Sequence, residues 1–556
     1  MGTPGWEKET SLQSDAEPRS NGTVTTLSPN DGGRMQDLDT TSAQRLAVGS
    51  GRLSSEEPSK SHMRFEIAEA PDTFDKPRDS LSGKEKLRQT LEKTKAVLYQ
   101  YAKFIGPGFM VAVAYIDPGN YATDVAAGAS FRFALLFVIL MSNIFAIFLQ
   151  SLSVKLGTVT GKNLAENSRE HLPKWLNVIG TAIALNVLGN VPLVAGCAIS
   201  IVDVLVILIF YQPQGGAKAV RLFEYFVMIL VLGVFVCFCF QLSLITNSSF
   251  GEVIRGYLPS SAVVQSQGVA RLYQSCGILG ATVMPHSLYL GSGLVQPRLR
   301  EFDAQIKAAN GKAPNNSSTE SLGSTEDRPS IQAIKTCLKF SVAETAISLF
   351  TFALFVNSAI LIVAGASLFN TPGAGDADLF GIHDLLSKQV APAAGTIFAL
   401  ALLLSGLSAG IVCTIAGQMV SEGSLRWTVK PWIRRLVTRA ISITPSIIIA
   451  GAVGKEGLSA ALVASQVCLS VILPFVSAPL IYFTCRDKFM TVSAEDLSRD
   501  GVGRAEIGTG SGAASGQAEQ VKMGNSKVTS GAAIVIWGII VVMNVTLLVL
   551  IGMGKD

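Results

Sequence analysis

The stretch VAVAYIDPGNYATD, residues 111–124, sets an aspartate, a proline, a glycine and an asparagine in a row inside an otherwise apolar run. Pro118 has no backbone N–H and its ring clashes with the preceding turn, while Gly119 tolerates unwound geometry, so a helix built on this run breaks near its middle. In a bilayer, the carbonyls freed there are tolerated only when buried in protein or lining a polar cavity. An ionisable Asp117 at mid-depth adds about 2.5–3.5 kcal/mol on insertion scales. A cavity that binds a cation offsets that cost. The alternative is a tight extramembrane turn, since Pro, Gly and Asn all favour turns, but apolar sequence continues on both sides.

Composition favours the bilayer. Of 556 residues, 49% are hydrophobic and 15% charged, against about 25% charged in soluble domains. This is the composition of an all-α integral membrane protein that crosses several times. A net charge of +4 is too small and scattered for nucleic acid, and the basic residues collect between the apolar runs. All eight cysteines lie within or at the ends of those runs, with no CxxC pair, which speaks against a disulfide framework or a zinc site. The Gly-rich GTGSGAASG at 508–516 lacks the flanking strand and helix of a phosphate loop. No nucleophile has a plausible base, so the chain does not read as an enzyme, and no cofactor is expected.

Residues 1–95 are polar, without sustained apolar period, and read as a disordered cytoplasmic tail, a segment on which cytoplasmic regulators would act. The core follows at 96–485, then a flexible cytoplasmic linker at 486–530 and a further membrane helix at 531–556. Crossing ~30 Å of hydrocarbon takes about 20 helical residues. Eleven runs suit that length, near 103–126, 131–156, 175–190, 191–211, 220–245, 269–296, 331–364, 391–420, 432–453, 459–484 and 531–552. Lys155, Lys162, Arg169, Arg298, Arg300, Arg426, Arg434 and Arg435 fall on one side of this arrangement, which puts the N-terminus in the cytoplasm.

A second interruption lies in GILGATVMPHSLYLGSGLV, residues 277–295, where Pro285 sits mid-span between Met284 and His286. Breaks in the first and sixth spans, at corresponding places in two five-span halves (about 100–245 and 268–485), point to an inverted-repeat transporter with its site at the midplane. Asp117 and Asn120 would bring hard oxygen ligands there and Met284 a soft thioether. That mixture suits Mn²⁺ or Fe²⁺ better than Mg²⁺ or Ca²⁺. Methionine in a membrane helix otherwise serves packing, and His286, whose class titrates near physiological pH, otherwise sits hydrogen-bonded in a core. Glu224 and Glu344, at or within spans, read as structural pairing partners.

DPGN in the first span together with MPH in the sixth resembles the Nramp (natural resistance-associated macrophage protein) family of proton-coupled divalent metal transporters. The longer GPGFMVAVAYIDPGNYATDVAAGA is similar to its fungal manganese and iron members. The resemblance runs from about residue 100 to 485 and implies a LeuT-like fold. It also implies that Asp117, Asn120 and Met284 are metal-binding side chains, that Ala281 gives a carbonyl ligand, and that Gln466 approaches the metal in some states. Asp117, His286 and Arg439 would belong to the proton route, and Asn357 to the outer gate. The chain departs from the family in having Ser287 after MPH and GLSAG at 406–410. It departs further where PKWLN runs directly into VIGTAIALN, so that helix 3 is truncated and lacks its acidic stretch.

The expected function is therefore uptake of Mn²⁺ or Fe²⁺ into the cytosol with protons, by alternating access, in the plasma membrane or an endosomal or vacuolar membrane. Two alternatives stay open at this point: a sodium-coupled organic solute symporter of the same fold, and a metal sensor or inactive splice form, suggested by the missing helix 3 acids.

Overall fold

The computed structural model describes residues 106–173, 217–245, 248–259, 268–309, 329–374, 379–425, 433, 456–493 and 520–554. The tail at 1–95, the spans expected at 175–190 and 191–211, nearly all of that at 432–453, and Arg439 lie outside these residues.

Both expected breaks are present. The first run forms α1 (Pro107–Val113) and α2 (Pro118–Phe131), with residues 114–117 between them. After α3 (Leu136–Thr160), α4 (Leu164–His171), α5 (Ala217–Ser243) and α6 (Phe250–Gly256), the sixth run forms α7 (Gly268–Thr282) and α8 (Pro285–Ala309). Three of these half-helices, α1, α2 and α8, begin on proline. Its fixed φ suits the first helical position, and its missing N–H is one that a helix start cannot pair in any case. Gly161 ends α3 in the left-handed conformation at φ 65, and α4 opens on a reciprocal capping box between Asn163 and Glu166.

The chain continues through α9 (Ile331–Ser348), a π-helical turn at Leu349–Ala353 and α10 (Leu354–Ser367). Next come α11 (Leu379–Gln389), α12 (Pro392–Leu425) and α13 (Glu456–Thr484). Among the described residues, seven helices are long and apolar enough to cross a membrane. The broken first span is not counted among them, because neither α1 nor α2 reaches 18 residues.

α2 lies at the centre, packed against α7, α10, α12 and α13, and α13 packs in turn along α7. Small residues allow this approach. A Cβ at Gly128 of α2 would lie 2.6 Å from Leu361 O and 2.8 Å from Gly365 N of α10. The last helix, α14 (Lys527–Gly552), buries only Ala533, Ile540, Asn544 and Leu547, while Ile534, Val535, Val542 and Leu548 are exposed, as on a lipid-facing helix.

The segment read as a linker carries structure at both ends. β1 (Thr491–Ser493) pairs antiparallel with β2 (Gln520–Lys522) in the register Val492 to Val521. Asn525 N–H then donates to Thr484 O at 3.0 Å, and Lys155 of α3 donates to Gly524 O at 3.0 Å and Asn525 Oδ1 at 2.8 Å. Backbone pairing of this kind depends on residues far apart in sequence, which is why a polar composition read as a linker.

Candidate metal site

The break between α7 and α8 has a local cause. In an unbroken helix the carbonyl of Ala281 would accept the N–H of residue 285, but that residue is proline. The ladder ends at Val283 N–H to Leu279 O, 2.7 Å, and restarts at Ser287 N–H to Met284 O, 3.1 Å. Ala281 O is left pointing out of the ladder, and it accepts the Asn120 side-chain amide at 3.1 Å. Pro118 has the same effect on the first span, where residues 114–116 close short turns onto 111–113. Ile116 O is satisfied from another helix, by Ser405 Oγ of α12 at 2.6 Å.

Asp117 is the N-cap of α2. Its Oδ1 accepts from Asn120 N at 2.9 Å and from Asn120 Nδ2 at 2.8 Å. One amide nitrogen therefore spans a carboxylate oxygen from the first break and a free carbonyl from the second. Asn120 is fully buried and Asp117 half-buried. Asn357 of α10 donates to Asn120 Oδ1 at 3.4 Å. Gln466 of α13 closes another side: a Cβ at Gly119 would overlap its amide nitrogen, at 2.6 Å from its Cδ and 3.1 Å from Asp117 Oδ2. Gln466 Oε1 is buried and has no hydrogen-bond partner among the described residues.

The structure thus brings Asp117, Asn120, Ala281, Asn357 and Gln466 together. Met284 occupies the two-residue gap between α7 and α8, is 1% exposed, and turns its carbonyl to Ser287 N and Oγ, the latter at 2.7 Å. His286 stands on the first turn of α8, with Nε2 3.7 Å from Cys413 Sγ of α12 and Nδ1 buried without a partner among the described residues.

Three residues escape the sequence reading. Gln150 Nε2 of α3 donates to Tyr115 Oη and Ser287 Oγ, both at 2.9 Å, and those two hydroxyls meet at 3.1 Å. Ser287, the departure from MPH-Asn, thereby ties the first break to the second through α3. A lone glutamine in the apolar run of α3 was the available signal. The third, Ser405, has a hydroxyl in an apolar helix and no partner visible in sequence. Chemically, the gathered residues offer a carboxylate and up to three neutral oxygens between broken helices, with buried Met284 in the second break. That donor set suits a dehydrated divalent transition-metal ion.

Comparison with known proteins agrees. Residues 108–503 match the family model described as natural resistance-associated macrophage protein-like. A manganese transporter of Saccharomyces cerevisiae, SMF1, is 48% identical over 507 residues, covering 82% of this chain and 87% of its own length. The iron transporter SMF3 of the same yeast is 47% identical over 485 residues, covering 83% and 98%. Among solved structures, the Eremococcus coleocola manganese transporter in complex with an aromatic bis-isothiourea compound superposes with a TM-score of 0.61 at 28% identity, covering 81% of this chain and 87% of that one.

Proposed function

The chain belongs to the natural resistance-associated macrophage protein-like family, and from that membership we propose that it is a secondary transporter carrying Mn²⁺ and Fe²⁺ into the cytosol together with protons. The observation that carries the proposal is the Asn120 amide held between Asp117 Oδ1 and Ala281 O, at 2.8 and 3.1 Å. Those two oxygens belong to different broken helices, and a cation seated between them would link the helices as the amide does now. For the ion to enter, the amide turns so that Oδ1 faces inward. Turning gives up the two bonds of the amide nitrogen, to Asp117 Oδ1 and Ala281 O, whose oxygens the ion then takes, and the long one from Asn357 at 3.4 Å. Gln466 Oε1, buried and without a partner, gains a ligand in the same event.

Met284 supplies the soft donor that favours Mn²⁺ and Fe²⁺ over Ca²⁺. Asp117, His286 and Arg439 form the proton route, with Asn357 at the outer gate. The N-terminus lies in the cytoplasm, in the plasma membrane or an endosomal or vacuolar membrane, and its tail is where cytoplasmic regulators act. The relatives reported above are named for metals, which supports metal over an organic solute and transport over sensing.

The test is uptake of radiolabelled Mn²⁺ into proteoliposomes across a pH gradient. Wild-type protein should accumulate Mn²⁺ faster with the acidic side outside, and Asp117→Ala should fall to the level of empty vesicles. Equal uptake by the two proteins overturns the proposal.

A further inference from the structure

The stretch that carries the first break ends in a second acid, which the metal site does not use. Asp124 of α2 is 0% exposed, and neither of its carboxylate oxygens has a hydrogen-bond partner among the described residues. Its neighbours along the helix fix where it stands. Asn120 meets Asn357 of α10 at 3.4 Å, and a Cβ at Gly128 would lie 2.6 Å from Leu361 O of the same helix. Residues four apart share a helix face, so Asp124, halfway between Asn120 and Gly128, stands on the seam of α2 and α10. Asn357 and Leu361 are also four apart, which leaves Asn357 within about one turn of Asp124. Asn357 Oδ1 is itself buried and without a partner among the described residues.

A buried charge without a partner is expensive, and an unbonded polar group inside a native fold is commonly explained by an ion, a water or a chemical role. The charge that acts on Asp124 is that of Asp117, another acid. Seven residues separate the two, about 10 Å along the axis and within about 20° of the same direction around it. A water molecule would give Asp124 a bond and leave the repulsion in place. A proton would remove the charge and leave both oxygens unbonded. A cation answers both needs at once.

We propose that Asp124 and Asn357 form a second, outer cation site, which holds a divalent ion on its way to the ligands at the breaks. The inference rests on the transporter reading for its direction: with the N-terminus in the cytoplasm, α2 leads from the break toward the opposite face, so Asp124 lies two turns outward of Asp117. Both donors are oxygens, so the ion keeps most of its water there, and selection by sulfur is left to Met284 further in. With only two protein ligands, the outer site is the weaker one and fills when Mn²⁺ is in excess.

The test counts Mn²⁺ bound to the purified full-length chain, from the loss of the free-ion signal in electron paramagnetic resonance. Wild-type protein should take up two ions, the second at least about tenfold more weakly. Asp124→Asn, which keeps the size of the side chain, should bind one, and Asp117→Ala should keep only the weak one. Adding Asn357→Asp to Asp117→Ala supplies a second carboxylate beside Asp124 and should tighten that remaining ion by about tenfold. An Asp124 that serves structure alone, or that carries only a proton, would not produce this gain.

In Mn²⁺ uptake, Asp124→Asn should lower the rate at low Mn²⁺ by about fivefold and leave the maximal rate within about twofold, because the inner ligands are untouched. If Asp124→Asn does not elute as a folded protein, the two Asp117→Ala proteins decide. A single ion in the wild type, a second ion retained by Asp124→Asn, or no tightening with Asn357→Asp overturns the outer site. A second ion that depends on Asp124, in a protein that takes up no Mn²⁺, sustains the site and counts against the transporter reading.

Discussion

Replacing Gly119 with alanine puts a methyl group where the site has no room for one. The added carbon would sit 2.6 Å from Gln466 Cδ and 3.1 Å from Asp117 Oδ2, whereas carbon contacts relax only at about 3.5–4.0 Å. Gln466 yields more readily than Asp117, which is tied to its own helix by two hydrogen bonds from Asn120. Its amide must retreat by roughly 1 Å to restore contact distance. Turning a side-chain end costs less than the about 1–3 kcal/mol of overpacking a fixed core, so the fold survives and the loss appears in binding. Losing one neutral oxygen ligand should weaken Mn²⁺ affinity by about tenfold, or roughly 1.4 kcal/mol. Titration calorimetry of the purified protein, with a thermal melt alongside, reads both quantities. Gln466→Ala should show a similar loss, and the double variant should be little worse than Gln466→Ala alone, since the two closest clashes of the methyl go with the Gln466 amide and only the 3.1 Å approach to Asp117 Oδ2 stays. Additive losses in the double variant, or unchanged affinity in Gly119→Ala, refute the reasoning.

Gly280→Ala is the contrasting case. Its methyl would overlap Gln466 O and lie 2.7 Å from Ser470 N, which is backbone and cannot turn aside, so this variant should aggregate on size-exclusion chromatography. Pro285→Ala restores an N–H four residues after Ala281. It should draw that carbonyl back into the helix and lower Mn²⁺ affinity while the melting temperature holds or rises. Ser405→Ala strips Ile116 O of its hydroxyl partner and should cost about 1–3 kcal/mol of stability, seen as a lower melting temperature, with metal affinity less affected. Met284→Ala should relax discrimination against Ca²⁺ more than it lowers Mn²⁺ binding, as competition assays would show; equal losses for both ions would count against a thioether ligand.

What could be read from the sequence was what a single residue dictates to its own backbone. Pro118 and Pro285 remove particular N–H groups, so the two breaks and the freed carbonyl at Ala281 follow from local chemistry. The acid, the amide and the sulfur beside those breaks were legible for the same reason. Partnerships across the fold were not. Ser405 meets Ile116 over a separation of 289 residues, and Glu344 reaches Gly106 over 238. In the second case the partner is a backbone N–H, which any residue but proline carries, so no pattern in the sequence marks it. Glu344 was read as a structural pairing residue, but the sequence offered only other side chains as its partner. Gln150 differs: a polar side chain in an apolar run was a visible signal, and it leads to the network that joins Tyr115 to Ser287.

The central claim is that two broken helices present one ion with a carboxylate, neutral oxygens and a single sulfur. X-ray absorption spectroscopy of Cd²⁺ bound to the purified protein counts those donors directly. The account predicts one sulfur neighbour among oxygens in the wild type, an all-oxygen shell in Met284→Ala, and no ordered shell in Asp117→Ala. A wild-type shell without sulfur, or the same shell in all three proteins, would contradict it.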